Sequence, residues 1–270
     1  MLPLFVERMD QSFNFEKEPL ADVNPRNTIK PDILMKQKLV ILSGAGISQE
    51  SGLKTFRDMG GIWDTYQVEE VASPDAWKRN PELVLRFYNE RRKAFWEALP
   101  NAAHITLASL EERFDVEIIT QNVDDLHEQA GSKKVLHLHG ELRKARSTAD
   151  PSIIYTLQSP ELNLGDLCEL GSQLRPHIVW FGEPVPNIVK AQKIMEKADI
   201  LVVIGTSLVV YPAAGLVHFA PEGIPVFVID PGSSSVMRPG VVYIQKKASE
   251  GVNDLVEKLE QYLQDSNQKE

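Results

Sequence analysis

The chain has 270 residues, 43% hydrophobic and 25% charged, a balance typical of a globular protein with a sizeable core and not of a disordered chain. Its net charge is -9 and it has no long run of Lys or Arg, so we expect no sequence-independent binding of nucleic acid. The acidic balance instead favours encounters with lysine-rich proteins.

Cysteine usage and hydropathy exclude several further classes. Cys168 is the only cysteine, which rules out an intrachain disulfide and a four-cysteine zinc site within one chain. The first ten residues lack the basic start and apolar core of a signal peptide, and no stretch is long enough to span a membrane. We therefore expect a cytoplasmic protein without a membrane partner, and a monomer.

In chain order, residues 1–36 contain four prolines and no sustained period, which predicts an N-terminal arm. Apolar strand-like runs then alternate with helical patterns. Strands are predicted at 39–42, 116–120, 135–138, 178–181, 200–204, 226–229 and 241–244. Helices are predicted near 81–98, 102–113, 187–197, 212–220 and 251–264.

This alternation predicts an α/β fold with an open, mostly parallel sheet and helices on both faces. Several of the runs are rich in Val and Ile without polar alternation, as buried parallel strands are. The segment at about 141–175 breaks the rhythm with short polar pieces, and we expect it to form a small inserted module. Ligands of such a fold bind at the carboxyl ends of the strands.

A glycine loop, Gly44-Ala45-Gly46-Ile47-Ser48, follows the first predicted strand. Its backbone N–H groups can converge on an anion with no side chain in the way, which predicts a dinucleotide site. The usual G-x-G-x-x-G spacing would need glycine at position 49, where this chain has Gln49. A tight strand-to-helix turn without a function is the alternative.

A polar cluster of Gln121, Asn122 and Asp124 follows the second predicted strand. Buried polar groups are costly unless they bond something, and the two amides could bond ribose hydroxyls or a carboxamide. Asp124 could orient a neighbour or a water. The alternative is that Asp124 caps a helix over 124–130.

Two histidines, His137 and His139, are two residues apart on a strand-like run, so they point the same way if the strand is regular. They could be metal ligands, but a zinc site needs a third ligand that the sequence does not identify. A general base is the better functional interpretation for His139, which precedes Gly140. A buried structural histidine is the alternative, and we assign His104 and His127 to packing and capping.

Two later strand ends also carry polar residues. Gly205-Thr206-Ser207 offers small donors to another part of a large ligand. Asp230 ends the next strand and can accept bonds from both hydroxyls of an adenosine ribose, while its charge would repel a 2′-phosphate. We therefore expect NAD and not NADP.

Taken in order, these motifs resemble the sirtuin family of NAD-dependent protein lysine deacylases, from about Lys38 to Leu263. The resemblance is carried by Gly44-Ala45-Gly46-Ile47-Ser48, Glu50-Ser51-Gly52, Thr55-Phe56-Arg57, Thr120-Gln121-Asn122-Val123-Asp124, Leu126-His127, His139-Gly140, Arg175-Pro176-His177-Ile178-Val179-Trp180-Phe181-Gly182-Glu183 and Gly205-Thr206-Ser207. It implies a Rossmann-like catalytic domain over 37–264 that holds the module, followed by a tail at 265–270.

The resemblance also implies site residues. His139 would be the catalytic base, together with Asn122 and Asp124, and the products would be nicotinamide, O-acyl-ADP-ribose and free lysine. The cofactor NAD would be held by Gly44, Ala45, Gly46, Ser48, Phe56, Arg57, Gln121, Asn122, Asp124, Gly205, Thr206, Ser207, Asp230 and Ala248. An acylated lysine peptide would add as a strand along an extended edge formed by Val179, Trp180, Phe181, Gly182 and Glu183.

Acyl choice is predicted from the helix near 81–98. Tyr88 and Arg91 are three residues apart, so a phenol and a guanidinium could together hold a carboxylate. The alternative is that Tyr88 packs in the core while Arg91 is solvated. Tyr88-Asn89-Glu90-Arg91 resembles the Tyr-x-x-Arg of the sirtuins that remove succinyl and malonyl groups, so we expect a preference for acidic acyl chains.

Two positions depart from the family pattern. The module retains only Cys168, with Ser147 where the first zinc cysteine is expected, so we predict no structural zinc and a module stabilised by Ile153, Ile154, Tyr155 and Leu157. Asp230 stands where the family commonly has asparagine, which would keep the ribose acceptors but weaken cofactor binding.

Two other functions stay open on the sequence. One is an NAD glycohydrolase or ADP-ribosyltransferase on the same scaffold, in which water or another nucleophile takes the ribosyl centre. The other is a non-catalytic NAD or ADP-ribose sensor, which the retention of His139, Asn122 and Asp124 disfavours.

Overall fold

The computed structural model describes residues 36–54, 67–232, 236 and 238–267. The predicted arm at 1–36 lies outside the described residues except for Lys36, and so do Phe56 and Arg57, which were expected in the cofactor site.

The described residues form nine strands, seven α-helices and several 3-10 turns. The strands are β1 Lys38–Ser43, β2 Asp115–Thr120, β3 Val135–His137, β4 Gly140–Ser147, β5 Ile154–Thr156, β6 Leu174–Ile178, β7 Ile200–Ile204, β8 Val226–Ile229 and β9 Val241–Ile244. The helices are α1 Val68–Val71, α2 Pro74–Arg79, α3 Pro81–Glu97, α4 Ala102–Ser109, α5 Leu126–Gln129, α6 Ile188–Met195 and α7 Ala248–Asn267.

Six strands form one fully parallel sheet in the order β3-β2-β1-β7-β8-β9. The strand order reverses between β1 and β7, where Leu39 lies opposite both Val116 and Ile200. Loops that leave two such strands diverge and open a crevice at the carboxyl edge of the sheet. The predicted α/β class is confirmed, and the crevice is where the Gly44 and Gly205 loops begin.

Each face of the sheet is covered by helices. Alternate residues of β1 point to opposite faces, as in any strand. Leu39 and Ile41 pack in the cluster that contains residues of α4 and α7, whereas Val40 and Leu42 pack in the cluster that contains residues of α6. All four are fully buried, and burying each such side chain contributes about 1.5–3 kcal/mol.

The inserted module is an antiparallel sheet in the order β5-β4-β6, and it begins at Gly140 and ends at Ile178. The strand predicted at 178–181 is therefore wrong: β6 covers the residues before it and pairs with β4 in the module. The module core contains Ala145, Leu162, Cys168 and Leu174, with Ile153, Tyr155 and Leu157 packed against it. Ile154 does not stabilise this core, because alternation along β5 turns it outward, 45% exposed.

Several predicted boundaries also move. Helix α3 begins as expected, since the Asn80 side chain accepts the Leu83 N–H at 3.0 Å. The predicted helix at 212–220 is a 3-10 helix over Ala213–Phe219. Helix α7 is longer than the predicted 251–264 and runs into the expected tail. Among the described residues, no helix is both long and apolar enough to cross a membrane.

Candidate active site

The two glycine loops after β1 and β7 press against each other. The Gly46 N–H donates to the Gly205 carbonyl at 2.8 Å, and a Cβ on Gly46 would lie 2.8 Å from the same oxygen. Gly205 adopts φ 61°, which favours glycine. The N–H groups of Gly44, Ile47 and Ser48 also donate within the protein. Among the residues that the structure describes, the Ala45 N–H has no such acceptor, whereas the other four N–H groups of the loop are used within the protein. Fewer donors are therefore left for an anion than the motif predicts.

Ser48 connects the glycine loop to the cluster after β2. Its hydroxyl donates to Asp124 Oδ2 at 3.0 Å and accepts from the Asn122 amide at 3.1 Å. All three residues are buried, and burial raises the pKa of Asp124. Asp124 Oδ1 also accepts the Leu126 N–H at 3.2 Å at the start of α5. Asp124 therefore closes the turn before α5 and also faces the glycine loop. The helix is shorter than the alternative of a 124–130 helix held, and its N-cap residue is Asp125.

Gln121 spans the crevice at the same edge of the sheet. Its side-chain amide donates to Thr206 Oγ1 at 3.1 Å, and Thr206 Oγ1 accepts a second bond from the Leu208 N–H at 3.2 Å. Residues predicted from two distant motifs are thus in direct contact.

His139 lies just beyond β3, beside this cluster. Its Nδ1 is 2.9 Å from the Gln121 carbonyl oxygen. A carbonyl only accepts, so Nδ1 carries the hydrogen and Nε2 of the neutral ring keeps its lone pair. Burial lowers the pKa of His139 below the ordinary value, although the bond to Gln121 opposes this. The imidazole is therefore neutral near pH 7, as a general base must be.

His137 has a different environment. Its Nδ1 is 3.0 Å from the Asn122 carbonyl oxygen and its Nε2 is 2.8 Å from Glu128 Oε1. Burial lowers the pKa of His137, but the bond and charge of Glu128 outweigh burial and raise it. Within the described ranges, the side chains that could together hold a metal are Glu128, His137 and Glu141, without His139. The two histidines are therefore not joint metal ligands here.

A buried polar layer lies beneath Asn122, and the sequence did not point to its role. The Asn122 N–H donates to Thr120 Oγ1 at 3.0 Å. The same oxygen also accepts the Ser43 hydroxyl at 2.9 Å. Ser43 Oγ lies 2.9 Å from His127 Nε2. Thr120, which was predicted within a buried strand, thus also supports the site. The only available signal was the pair of hydroxyl residues at the last positions of β1 and β2.

Two residues outside the predicted set, Asn101 and Ser249, hold the glycine loop and the turn that follows it. The Asn101 side chain donates to the Ile47 carbonyl at 2.7 Å and to Ser51 Oγ at 3.0 Å. The Glu50 carboxylate accepts from the Ser249 hydroxyl at 2.6 Å and the Ser249 N–H at 3.0 Å. Asn101 was detectable as a helix cap, but its reach to the loop depends on tertiary structure.

The remaining cofactor residues lie at strand or helix ends. Asp230 follows β8, and its Oδ1 accepts the Gly232 N–H at 2.8 Å. Ala248 begins α7 with its side chain buried in the core, so only its backbone can face a ligand. Ser207 follows Thr206 in the loop after β7.

Tyr88 and Arg91 both lie on the inner side of α3. Tyr88 is 4% exposed, and its hydroxyl accepts the Trp180 indole N–H at 3.0 Å. The Arg91 guanidinium carbon lies 5.5 Å from the centre of the Phe87 ring and 5.7 Å from that of Phe95. Arg91 is partly buried and not solvated, so the alternative holds for Tyr88 alone.

The segment after β6 is a turn and not an extended strand. The N–H groups of Val179, Phe181 and Glu183 donate to His139, Ala72 and Trp180 carbonyls within the protein. The segment is anchored by Glu183, whose carboxylate binds the Arg175 guanidinium at 2.7 Å. Phe181 is 55% exposed, and Gly182 adopts φ 89° beside it. The part of this segment that faces outward therefore consists of the Phe181 side chain and Gly182.

Comparison with known proteins decides the family. The Sir2 family matches residues 44–212. The chain is 52% identical to an NAD-dependent protein deacylase of Helicobacter pylori, over 83% of this chain and 95% of the relative. It is 51% identical to one of Bacteroides thetaiotaomicron, over 83% and 98%. An ADP-ribose complex of a mutant Sir2 homologue has a TM-score of 0.77 at 40% identity, covering 85% of this chain and 94% of that one.

The chain belongs to the Sir2, or sirtuin, family. The predicted family and its Rossmann-like fold are thereby confirmed. The crevice of this sirtuin fits NAD, since it is lined by hydroxyl, amide and carboxylate groups that can bond ribose hydroxyls and a carboxamide. A Cβ on Gly44 would lie 2.6 Å from Thr206 Cβ, so glycine is needed for the two loops to pack this closely. Ser48, Gln121, Asn122 and Asp124 would hold the polar groups of NAD.

In this sirtuin, Ser147 and Cys168 contact each other inside the module. The thiol lies 3.3 Å from Ser147 Oγ, and both residues are buried. Ser147 Oγ also accepts the N–H groups of Ala149 at 3.1 Å and Asp150 at 3.2 Å. The serine caps a turn, which is a structural role that requires no metal. The absence of zinc stays a prediction.

Proposed function

We propose that this sirtuin removes acyl groups from protein lysines in an NAD-dependent reaction and prefers succinyl and malonyl groups to acetyl. The deacylase activity itself does not depend on the proposed acyl preference. The chain is an NAD-dependent protein deacylase, since it belongs to the Sir2 family and relatives of that name match it at about half identity along nearly their whole length. It is therefore an enzyme, as predicted.

The observation that carries the chemistry is the orientation of His139. Its Nδ1–H is held by the Gln121 carbonyl, which leaves the Nε2 lone pair to accept a proton. When bound, NAD supplies an activated ribosyl carbon and a ribose hydroxyl that receives the acyl group. His139, which is partly buried, would accept the proton of that hydroxyl. One water would be consumed as the lysine amine leaves the acyl carbon. The products would be nicotinamide, O-acyl-ADP-ribose and free lysine.

Asn122 and Asp124 support this step from the loop after β2, whose Gln121 carbonyl also holds His139. Asn122 is held at its N–H by Thr120 and at its side chain by Ser48, and Asp124 is held by Ser48. Held in this way, the Asn122 and Asp124 side chains need little reorganisation when a substrate arrives. We propose that they border the ribose and the nicotinamide.

The acyl preference rests on Tyr88 and Arg91. Burial lowers the pKa of Arg91 to about 10, so the guanidinium remains charged at neutral pH. The Arg91 guanidinium and the Tyr88 hydroxyl can both donate to one carboxylate, and the bond from the guanidinium is charge-assisted. The carboxylate of a succinyl or malonyl group supplies that anion, and the methyl of an acetyl group does not.

We propose acylated lysine-containing proteins as partners, which reach the site past the exposed Phe181 and Gly182. A net charge of -9 favours lysine-rich partners. A cytoplasmic location, the monomeric state and the absence of nucleic-acid binding remain predictions.

The test is nicotinamide release with acetyl, malonyl, succinyl and glutaryl peptides of one sequence. We expect the acidic peptides to react fastest. Arg91→Met should lower kcat/KM for succinyl peptide by about 10- to 150-fold, since hydrogen bonds to charged groups contribute about 1.5–3 kcal/mol. Arg86, an exposed arginine on the same helix, provides the control, and Arg86→Met should leave the rates unchanged.

Equal or faster reaction of acetyl peptide, with full desuccinylation by Arg91→Met, would contradict the acyl preference. Full-rate nicotinamide release without any acyl peptide would indicate an NAD glycohydrolase. Binding of NAD with no release on any peptide would indicate a sensor.

A further inference from the structure

Trp180 is held rigidly at the end of the module. It is 2% exposed, and its ring contacts the Trp77 ring, with centroids 5.8 Å apart, and the Arg175 guanidinium, whose carbon lies 3.2 Å from the ring centre. Its backbone N–H donates to Glu183 Oε2 at 2.8 Å. Contacts on the ring and a bond at the backbone leave the indole little freedom to turn.

The indole N–H points at the Tyr88 hydroxyl. Indole nitrogen is a donor only, so at 3.0 Å the Tyr88 oxygen is the acceptor. The hydroxyl hydrogen must then point away from Trp180. Within the described part of the chain, the Tyr88 hydroxyl donates to no protein acceptor. Burial raises the pKa of Tyr88 to about 12, so the group keeps its proton at any working pH.

A cation of the same helix lies near this hydroxyl. Arg91 lies three residues along α3, so both side chains leave the same face of the helix. The charge of Arg91 acts on Tyr88 strongly enough to oppose the effect of burial on the phenol. A carboxylate placed between the two would accept one bond from each.

We propose that Trp180 is a positioning residue for acyl selection: by occupying the Tyr88 oxygen, its indole N–H aims the phenol hydrogen at the carboxylate of an acidic acyl group. Without the indole, the hydroxyl can rotate and present its lone pairs to the carboxylate, which repels it. This inference rests on the proposed preference for acidic acyl groups. It assigns the preference to three residues, one of them outside α3.

A double-mutant cycle tests the inference. In the wild-type background, Trp180→Phe should lower the ratio of kcat/KM for succinyl over acetyl peptide by about three- to tenfold, the net worth of one hydrogen bond. The fall should come from KM of the succinyl peptide. In the Tyr88→Phe background, Trp180→Phe should leave the ratio unchanged, because no hydroxyl remains to be aimed. Trp77→Phe, which alters the same aromatic cluster without touching the bond, should not change the ratio.

The outcomes separate the two proposals. If the wild-type enzyme shows no preference for acidic peptides, the proposed function fails before the variants are compared. If the preference exists but Trp180→Phe slows both peptides equally, or lowers the ratio equally in both backgrounds, the role of Trp180 is refuted.

A second measurement tests the inference on the wild-type enzyme if the Trp180→Phe variant does not fold. The chain has four tryptophans, so ¹⁵N-labelled protein gives four indole N–H resonances. Tyr88→Phe identifies the Trp180 resonance by shifting it. Saturating succinyl peptide should shift that resonance in the wild-type enzyme more than acetyl peptide does, and equal shifts would overturn the inference.

Discussion

His104 makes the stability of this enzyme sensitive to mild acid. The residue is fully buried on α4, where its Nδ1 accepts the Asn101 N–H at 3.4 Å in a capping box. Its ring packs edge-on against His127, with centroids 5.0 Å apart. Burial lowers the pKa of His104 to about 4, from an ordinary 6.5. The folded protein thus holds this imidazole neutral where the unfolded chain would protonate it.

The sign follows from proton linkage. Above pH 6.5 neither state binds the proton, so His104 adds no pH dependence there. Below that value the unfolded state gains a proton that the folded state refuses, and the free energy of unfolding falls until the pH approaches 4. At pH 5 the difference between the two pKa values lowers the free energy of unfolding by about 2 kcal/mol through His104 alone.

His104→Gln isolates this contribution. Glutamine at this position of a capping box can still accept the Asn101 N–H, but it does not titrate. We expect the loss in unfolding free energy between pH 7 and pH 5 to be about 2 kcal/mol smaller in the variant than in the wild type. Urea unfolding followed by circular dichroism at the two pH values measures both losses, and other titrating groups cancel in the comparison. Equal losses would refute the assignment.

Four further outcomes are expected. Burial lowers the pKa of His139, so the acid limb of kcat/KM should have its midpoint below the ordinary 6.5; a midpoint at or above it argues against His139 as the base. Asn89→Ala should cost about 2–4 kcal/mol of unfolding free energy, because the Asn89 amide pairs with both the N–H and the carbonyl of Leu162 at 3.1 Å; a loss under about 0.5 kcal/mol would contradict this. Gly46→Ala should weaken NAD binding about tenfold or more by crowding Gly205, and calorimetry showing an unchanged Kd would exclude that crowding. Purified protein should lack stoichiometric zinc by elemental analysis.

Residues that follow strands were predictable because their environment is local. A buried apolar run followed by Asn122 or Thr206 places the polar side chain at the sheet edge wherever the strand lies in the sheet. The contact between Gln121 and Thr206 then depends on the order of the strands in the sheet. The alternation of strands and helices along the chain restricts that order but does not specify it. The pairing of β6 with the module was missed because 178–181 reads as a buried apolar run in either sheet.

Long-range polar partners could not be predicted in the same way. Asn101 reads as a helix cap, and its second role at the Ile47 carbonyl depends on how α4 packs against the glycine loop. The Trp180 bond to Tyr88 joins residues 92 positions apart and leaves no pattern in either segment. Burial of Arg91 was likewise invisible, since spacing gives the face of a helix and not what covers it.

The entrance and exit of the module meet beside His139. The Val179 N–H donates to the His139 carbonyl at 2.9 Å, and Gly140, at φ 84°, lies so near the His177 carbonyl that a Cβ would be 2.0 Å from its oxygen. The module thus begins and ends where these two backbone segments cross. Mutations elsewhere in the module can change its structure, its length or any metal-binding residues without displacing the His139 imidazole. The inserted module could therefore change freely in evolution while the chemistry beside its two ends stayed intact.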